Sequence, residues 1–79
     1  MTGKKREAFS RLVPKRVDKL RDQLRILGNC ANRSNYEWKP EIVRRLLALL
    51  FLEFIQTAEL FGVTVTATVD GQDVHFFDD

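Results

Sequence analysis

Apolar residues along the chain change period twice, and each period predicts a different element. Val13, Val17, Leu20, Leu24, Leu27 and Ala31 recur at steps of four, three, four, three and four, which is one stripe of an amphipathic helix. Phe9 and Leu12 begin the pattern. Pro14 suits the first turn of that helix, where its missing N–H is not needed, and Ser10 is a candidate cap. A helix beginning earlier would carry Pro14 as a kink. Residues 1–8 are polar and are expected to be frayed. Lys15, Arg16, Asp18, Lys19, Arg21, Asp22 and Arg25 fill the other faces, with Asp18–Arg21 and Asp22–Arg25 at the i,i+3 spacing of helical ion pairs.

Gly28 ends the strong pattern or admits the close approach of another backbone, and Asn29 to Asn35 reads as helix end and loop. A second helix starts at Trp38-Lys39-Pro40-Glu41. Proline fits the first helical position, glutamate suits the positive end of the dipole, and Trp38 can pack back on the first turn. Nine of the ten residues from Leu46 to Ile55 are apolar, which predicts a helix buried on more than one side. Val43, Leu47, Leu50, Phe54 and Phe61 share the main stripe, flanked by Leu46 and Thr57. Phe51 and Ile55 form a second flank, and Ile42, Leu49 and Leu60 a third. Leu50 and Phe54 are the expected centre of the core, and Gly62 the expected C-cap.

From Val63 to Val69 the period becomes two, as in a half-buried strand, and Asp70-Gly71 is a strong signal for a two-residue hairpin turn. Val74-His75-Phe76-Phe77 is the expected return strand. This register places Val69 opposite Gln72, Ala67 opposite Val74 and Val65 opposite Phe76 on the face toward the second helix. Thr68–Asp73, Thr66–His75 and Thr64–Phe77 lie on the other. Because an isolated hairpin is barely stable, it must dock on the helix. The predicted fold class is α+β: a two-helix hairpin followed by a C-terminal antiparallel β-hairpin packed on the second helix, in one small domain over residues 1–79.

A chain of 79 residues buries only roughly 60% of its unfolded surface and is marginal without staples or an oligomer. Cys30 is the single cysteine, so no intrachain disulfide forms, and one His with one Cys does not make a structural zinc site. No cofactor is expected. The lone thiol, the absence of an apolar run behind the basic start and the shortness of the run Leu46–Leu52 together predict a cytoplasmic protein without a membrane association. Charge is divided along the chain. Residues 1–45 hold all thirteen bases against five acids, net +8, and residues 46–79 hold six acids and no base, net −6. The apolar excess on the second helix and the free hairpin edges predict a homodimer.

Candidate chemistry is sparse, and no catalytic residue is expected. His75 has Asp73 two residues away but no third group converging on it, so a surface histidine is expected. Cys30 has no base near it and is expected to be a half-buried structural thiol. Asn32-Arg33-Ser34 matches a glycosylation sequon that needs a secretory context to matter. Three binding surfaces have more substance. Arg33, Tyr36 and Trp38 are residue types that dominate interfaces, set in a polar loop. Asp70, Asp73, Asp78 and Asp79 mark the two ends of the expected hairpin, roughly 20–25 Å apart at about 3.3 Å per residue, and spaced carboxylates suit the basic channel of an effector that grips DNA. Lys15, Arg16, Lys19, Arg21 and Arg25 on the first helix suit phosphates, although acids interleave with them.

The segments Lys15-Arg16-Val17, Ile26-Leu27-Gly28-Asn29 and Asn32-Arg33-Ser34-Asn35-Tyr36-Glu37-Trp38 resemble a pattern in small proteins of bacteria and their mobile elements. The resemblance spans residues 15–38, about a third of the chain. It implies a helical hairpin with a polar loop and no particular activity. In type, though through no motif, the chain also looks like small phage-encoded inhibitors, anti-CRISPR proteins among them. The expected function is therefore non-enzymatic: binding of a host protein complex, such as a CRISPR effector, to block its DNA binding. The alternative is a small nucleic-acid-binding regulator using the basic helix.

Overall fold

A computed structural model describes residues 2–77. Two helices precede a two-stranded antiparallel hairpin, so the architecture is α+β in the expected order. The chain divides into two compact units, one ending at Glu37 and one beginning at Trp38.

In the first unit, helix α1 runs from Thr2 to Gly28. It begins twelve residues before Pro14, so residues 2–8 are helical and Pro14 lies inside the helix rather than in its first turn. The proline cannot donate to the Ser10 carbonyl, and α1 carries that missing bond in its interior. Gly28 has ordinary right-handed helical angles. A Cβ built on it meets nothing within 4 Å, so neither a left-handed cap nor a close approach explains this glycine. A 3-10 turn over Asn29–Ala31 follows. Asn32 then organises the loop. Its carbonyl accepts the N–H of Asn35 at 3.1 Å and of Tyr36 at 3.0 Å, and its side-chain oxygen accepts the N–H of Ser34 at 3.0 Å. Asparagine is suited to this because its side chain mimics a backbone turn acceptor.

In the second unit, helix α2 spans Pro40–Leu60 with Pro40 in its opening positions and Glu41 in its first turn. The Lys39 carbonyl takes the N–H groups of Ile42 and Val43. The C-terminus closes as anticipated on Gly62, at φ +73°. Gly62 donates to the Glu59 carbonyl and Val63 to that of Ala58, both at 3.0 Å. This pair of bonds is a Schellman cap, which requires a left-handed residue at its corner.

Strands β1 (Thr68–Val69) and β2 (Gln72–Asp73) pair in the expected register, Thr68 with Asp73 and Val69 with Gln72. Asp70 and Gly71 both have positive φ, 51° and 80°, as a type I′ turn demands. One further bond, Val74 N–H to the Ala67 carbonyl at 3.3 Å, continues the ladder. It then stops. Val74–Phe77 is a 3-10 turn, not the expected return strand, so Val65–Phe76, Thr66–His75 and Thr64–Phe77 do not pair. Asp73 supplies the reason: its carboxylate accepts the His75 N–H at 2.8 Å. A side chain that captures the amide two residues on competes with the ladder and starts a helical turn.

The core is small. Ala48 and Val74 are fully buried, Val69 is nearly so, and Leu52, Ile55, Ala67 and Phe77 pack around them. The hairpin thus docks on the α2 face that carries Ala48, Leu52 and Ile55. This corrects the expected core: Leu50 is 46% exposed and Phe54 61%. A short side chain at position 48 lets the hairpin come close to the helix, and a stripe drawn through the largest residues passes that face by. The strand alternation did predict the hairpin's own inward face, since Ala67 and Val69 are covered while Thr64, Thr66 and Thr68 are exposed.

Candidate functional site

The acidic cluster anticipated on the hairpin is changed most by the structure. Asp70 forms an ion pair with Arg44 of α2. The turn that needs a residue tolerant of positive φ thereby also ties the hairpin to the helix. Arg44 is 26 residues away in sequence, so only tertiary structure brings the two together. Asp73 is engaged locally. Besides the His75 backbone, its Oδ1 lies 2.8 Å from His75 Nδ1. These two contacts, the backbone N–H first and the imidazole second, hold its carboxyl below the usual aspartate value. Asp78 and Asp79 lie outside the described residues. With Val74–Phe77 turned into a 3-10 segment, the strand length assumed for a 20–25 Å spacing of carboxylates is not present.

His75 is exposed, as expected of a surface histidine, and its imidazole meets Asp73 rather than Thr66. It also borders a groove of about 300 Å³ along the C-terminal half of α2, with Leu49, Leu52 and Ile55 as its apolar side and Glu53, Gln56 and Glu59 as its polar side. Among the described residues no three His, Cys, Asp or Glu side chains are grouped to hold a metal ion. Cys30 is exposed at the end of the 3-10 turn, where a half-buried thiol was expected.

The loop residues are divided between the two units. Arg33 and Tyr36 belong to the first and Trp38 to the second. Arg33 is exposed, Trp38 is half-buried, and Tyr36 is 52% exposed directly after the turn built on Asn32. The basic candidates Lys15, Arg16, Lys19, Arg21 and Arg25 are all exposed on α1. Arg25 pairs with Asp22 at 2.8 Å, the local i,i+3 bridge anticipated. At about 100° per residue the five occupy an arc of about 220°, a polar envelope rather than one phosphate-facing row.

Residue-type reasoning did not anticipate how much large apolar surface both helices expose. On α1 it includes Val17, Leu20, Leu24 and Leu27, and on α2 Leu46, Leu47, Leu50 and Phe54. The signal was present in the stripes themselves, which were assigned to the core. No described helix is long and apolar enough to cross a membrane. No family model matches the chain, and neither a curated protein nor a solved structure shows significant similarity to it.

Proposed function

We propose that this chain is a non-enzymatic protein-binding inhibitor, with the turn after α1 as its contact surface. The observation that carries the proposal is Tyr36. Its aromatic ring is half exposed on a turn held by three hydrogen bonds to Asn32, next to the exposed Arg33. A large side chain displayed from an ordered backbone loses little conformational freedom on binding, and Tyr and Arg are the types that anchor interfaces. The partner we propose is a cytoplasmic host complex that grips DNA, such as a CRISPR effector, with this chain encoded by a phage or mobile element. The resemblance of residues 15–38 to small mobile-element proteins supports that origin. With Asp70 tied to Arg44, the turn is better suited than the hairpin aspartates to lead the contact.

The exposed cations of α1 favour a second reading, a regulator that binds nucleic acid through phosphates. One experiment separates the two. Wild type, Arg33→Ala and Tyr36→Ala chains are assayed for inhibition of DNA binding by purified effector complexes, and for direct binding to DNA and RNA across a salt series. The inhibitor reading expects effector inhibition that both substitutions abolish, unchanged melting temperatures and no direct binding to nucleic acid. Salt-dependent binding to nucleic acid without effector inhibition replaces it with the regulator. A large fall in melting temperature for Tyr36→Ala assigns the tyrosine to the fold instead.

A further inference from the structure

The exposed stripes of the two helices match each other in spacing and in charge. On α1, Val13, Val17, Leu20, Leu24 and Leu27 advance by four, three, four and three; on α2, Val43, Leu47, Leu50, Phe54 and Thr57 do the same. Run antiparallel, the two series meet level by level, Val17 with Phe54, Leu20 with Leu50 and Leu24 with Leu47. Such spacing is what lets two helices interlock along a seam.

Charge selects the antiparallel direction. At about 100° per residue, Arg16 lies about 60° to one side of the α1 stripe and Glu53 about 80° to the same side of the α2 stripe. Same-side flanks face each other across an antiparallel pair and are kept apart in a parallel one. In the antiparallel alignment Glu53 also falls level with Val17, between Arg16 and Lys19. The wider balance agrees, because α1 holds nine bases against three acids and residues 46–77 hold four acids and no base.

We propose that a second copy of this chain covers these faces, α1 of each protomer packing antiparallel on α2 of the other in a two-fold dimer. The exposed area fits. Counting half of about 180 Å² for each large side chain, the α1 stripe with Phe9 and Leu12 exposes on the order of 500 Å², and the α2 stripe with Leu46 and Phe61 a similar area. Either one equals the largest apolar patch of a typical monomer, roughly 300–600 Å². Both together give about 1,000 Å² per protomer, against the roughly 800 Å² per partner of a standard stable interface. Each protomer offers one α1 and one α2 face, so the arrangement closes on itself. The inference does not depend on the Tyr36 surface.

The test is charge reversal with complementation between chains. Sedimentation of full-length wild type at low ionic strength should give a dimer, twice the 9.2 kDa chain mass. Arg16→Glu alone and Glu53→Arg alone each place two like-charged pairs in the homodimer and should weaken self-association roughly tenfold. An equimolar mixture of the two variants forms two opposite-charged pairs in its heterodimer and should associate as tightly as wild type. Circular dichroism of each variant verifies that the helices are retained. Monomeric wild type at 100 micromolar (a concentration of order 10⁻⁴ M, well above a Kd of about 1 micromolar) overturns the proposal. So does a mixture that associates no better than its components.

Discussion

Val74 is the most completely buried large side chain in the molecule, and the docking of the hairpin on α2 depends on it. Val74→Ala removes two methyl groups from a site with no solvent exposure. At about 0.8 kcal/mol each, their transfer accounts for about 1.6 kcal/mol. The space left behind, roughly 50 Å³, adds up to about 1.2 kcal/mol if nothing collapses into it. Leu52, Ile55, Ala67 and Phe77 around the site are only partly buried and can move inward. The expected loss is therefore about 1.5–3 kcal/mol. In a chain this size that corresponds to a melting temperature lower by on the order of 10 °C. The control is Val63→Ala, the same chemical change at a residue that is exposed just after the α2 cap, where the loss should stay within about 0.5 kcal/mol. Urea unfolding at one fixed protein concentration measures both. Equal losses for the two variants refute the assignment of the core to Ala48, Val69 and Val74.

Two further outcomes follow from the hairpin. Asp70→Asn keeps a side chain that tolerates positive φ and loses only an exposed ion pair with Arg44, so it should cost about 0.2–1 kcal/mol; Asp70→Ala adds the strain of a left-handed alanine, about 1–2 kcal/mol more, and equal stability of the two variants contradicts the turn assignment. Asp73, held below the ordinary aspartate value of 3.8, has a folded value lower than its unfolded one; its contribution is full above the unfolded value and is lost as pH falls through the folded value. A carboxyl titration by NMR should find Asp73 below 3.8, and Asp73→Asn should remove that acid-side loss; a midpoint at or above 3.8 counts against the His75 contacts.

Local interactions were legible along the chain. The stripe of α1, the proline-initiated start of α2, the Gly62 cap and the Asp70-Gly71 turn each rest on residues within a few positions of one another, so residue type and spacing determine them. The first two residue pairs of the hairpin follow from its turn for the same reason. The end of the ladder at Val74 was also local, in the bond from the His75 amide to Asp73, but two rules competed there and the alternation of apolar residues pointed the other way. Tertiary structure alone decided which face of α2 is covered. Three apolar arcs compete on that helix, and hydrophobicity ranks them by size, whereas docking a hairpin close to a helix requires a small residue where the two meet. Ala48 meets that requirement, and the larger Leu50 and Phe54 remain exposed. The Arg44–Asp70 pair was hidden for a related reason: 26 residues separate the partners, and only the docking of the hairpin on the Ala48 face sets them side by side.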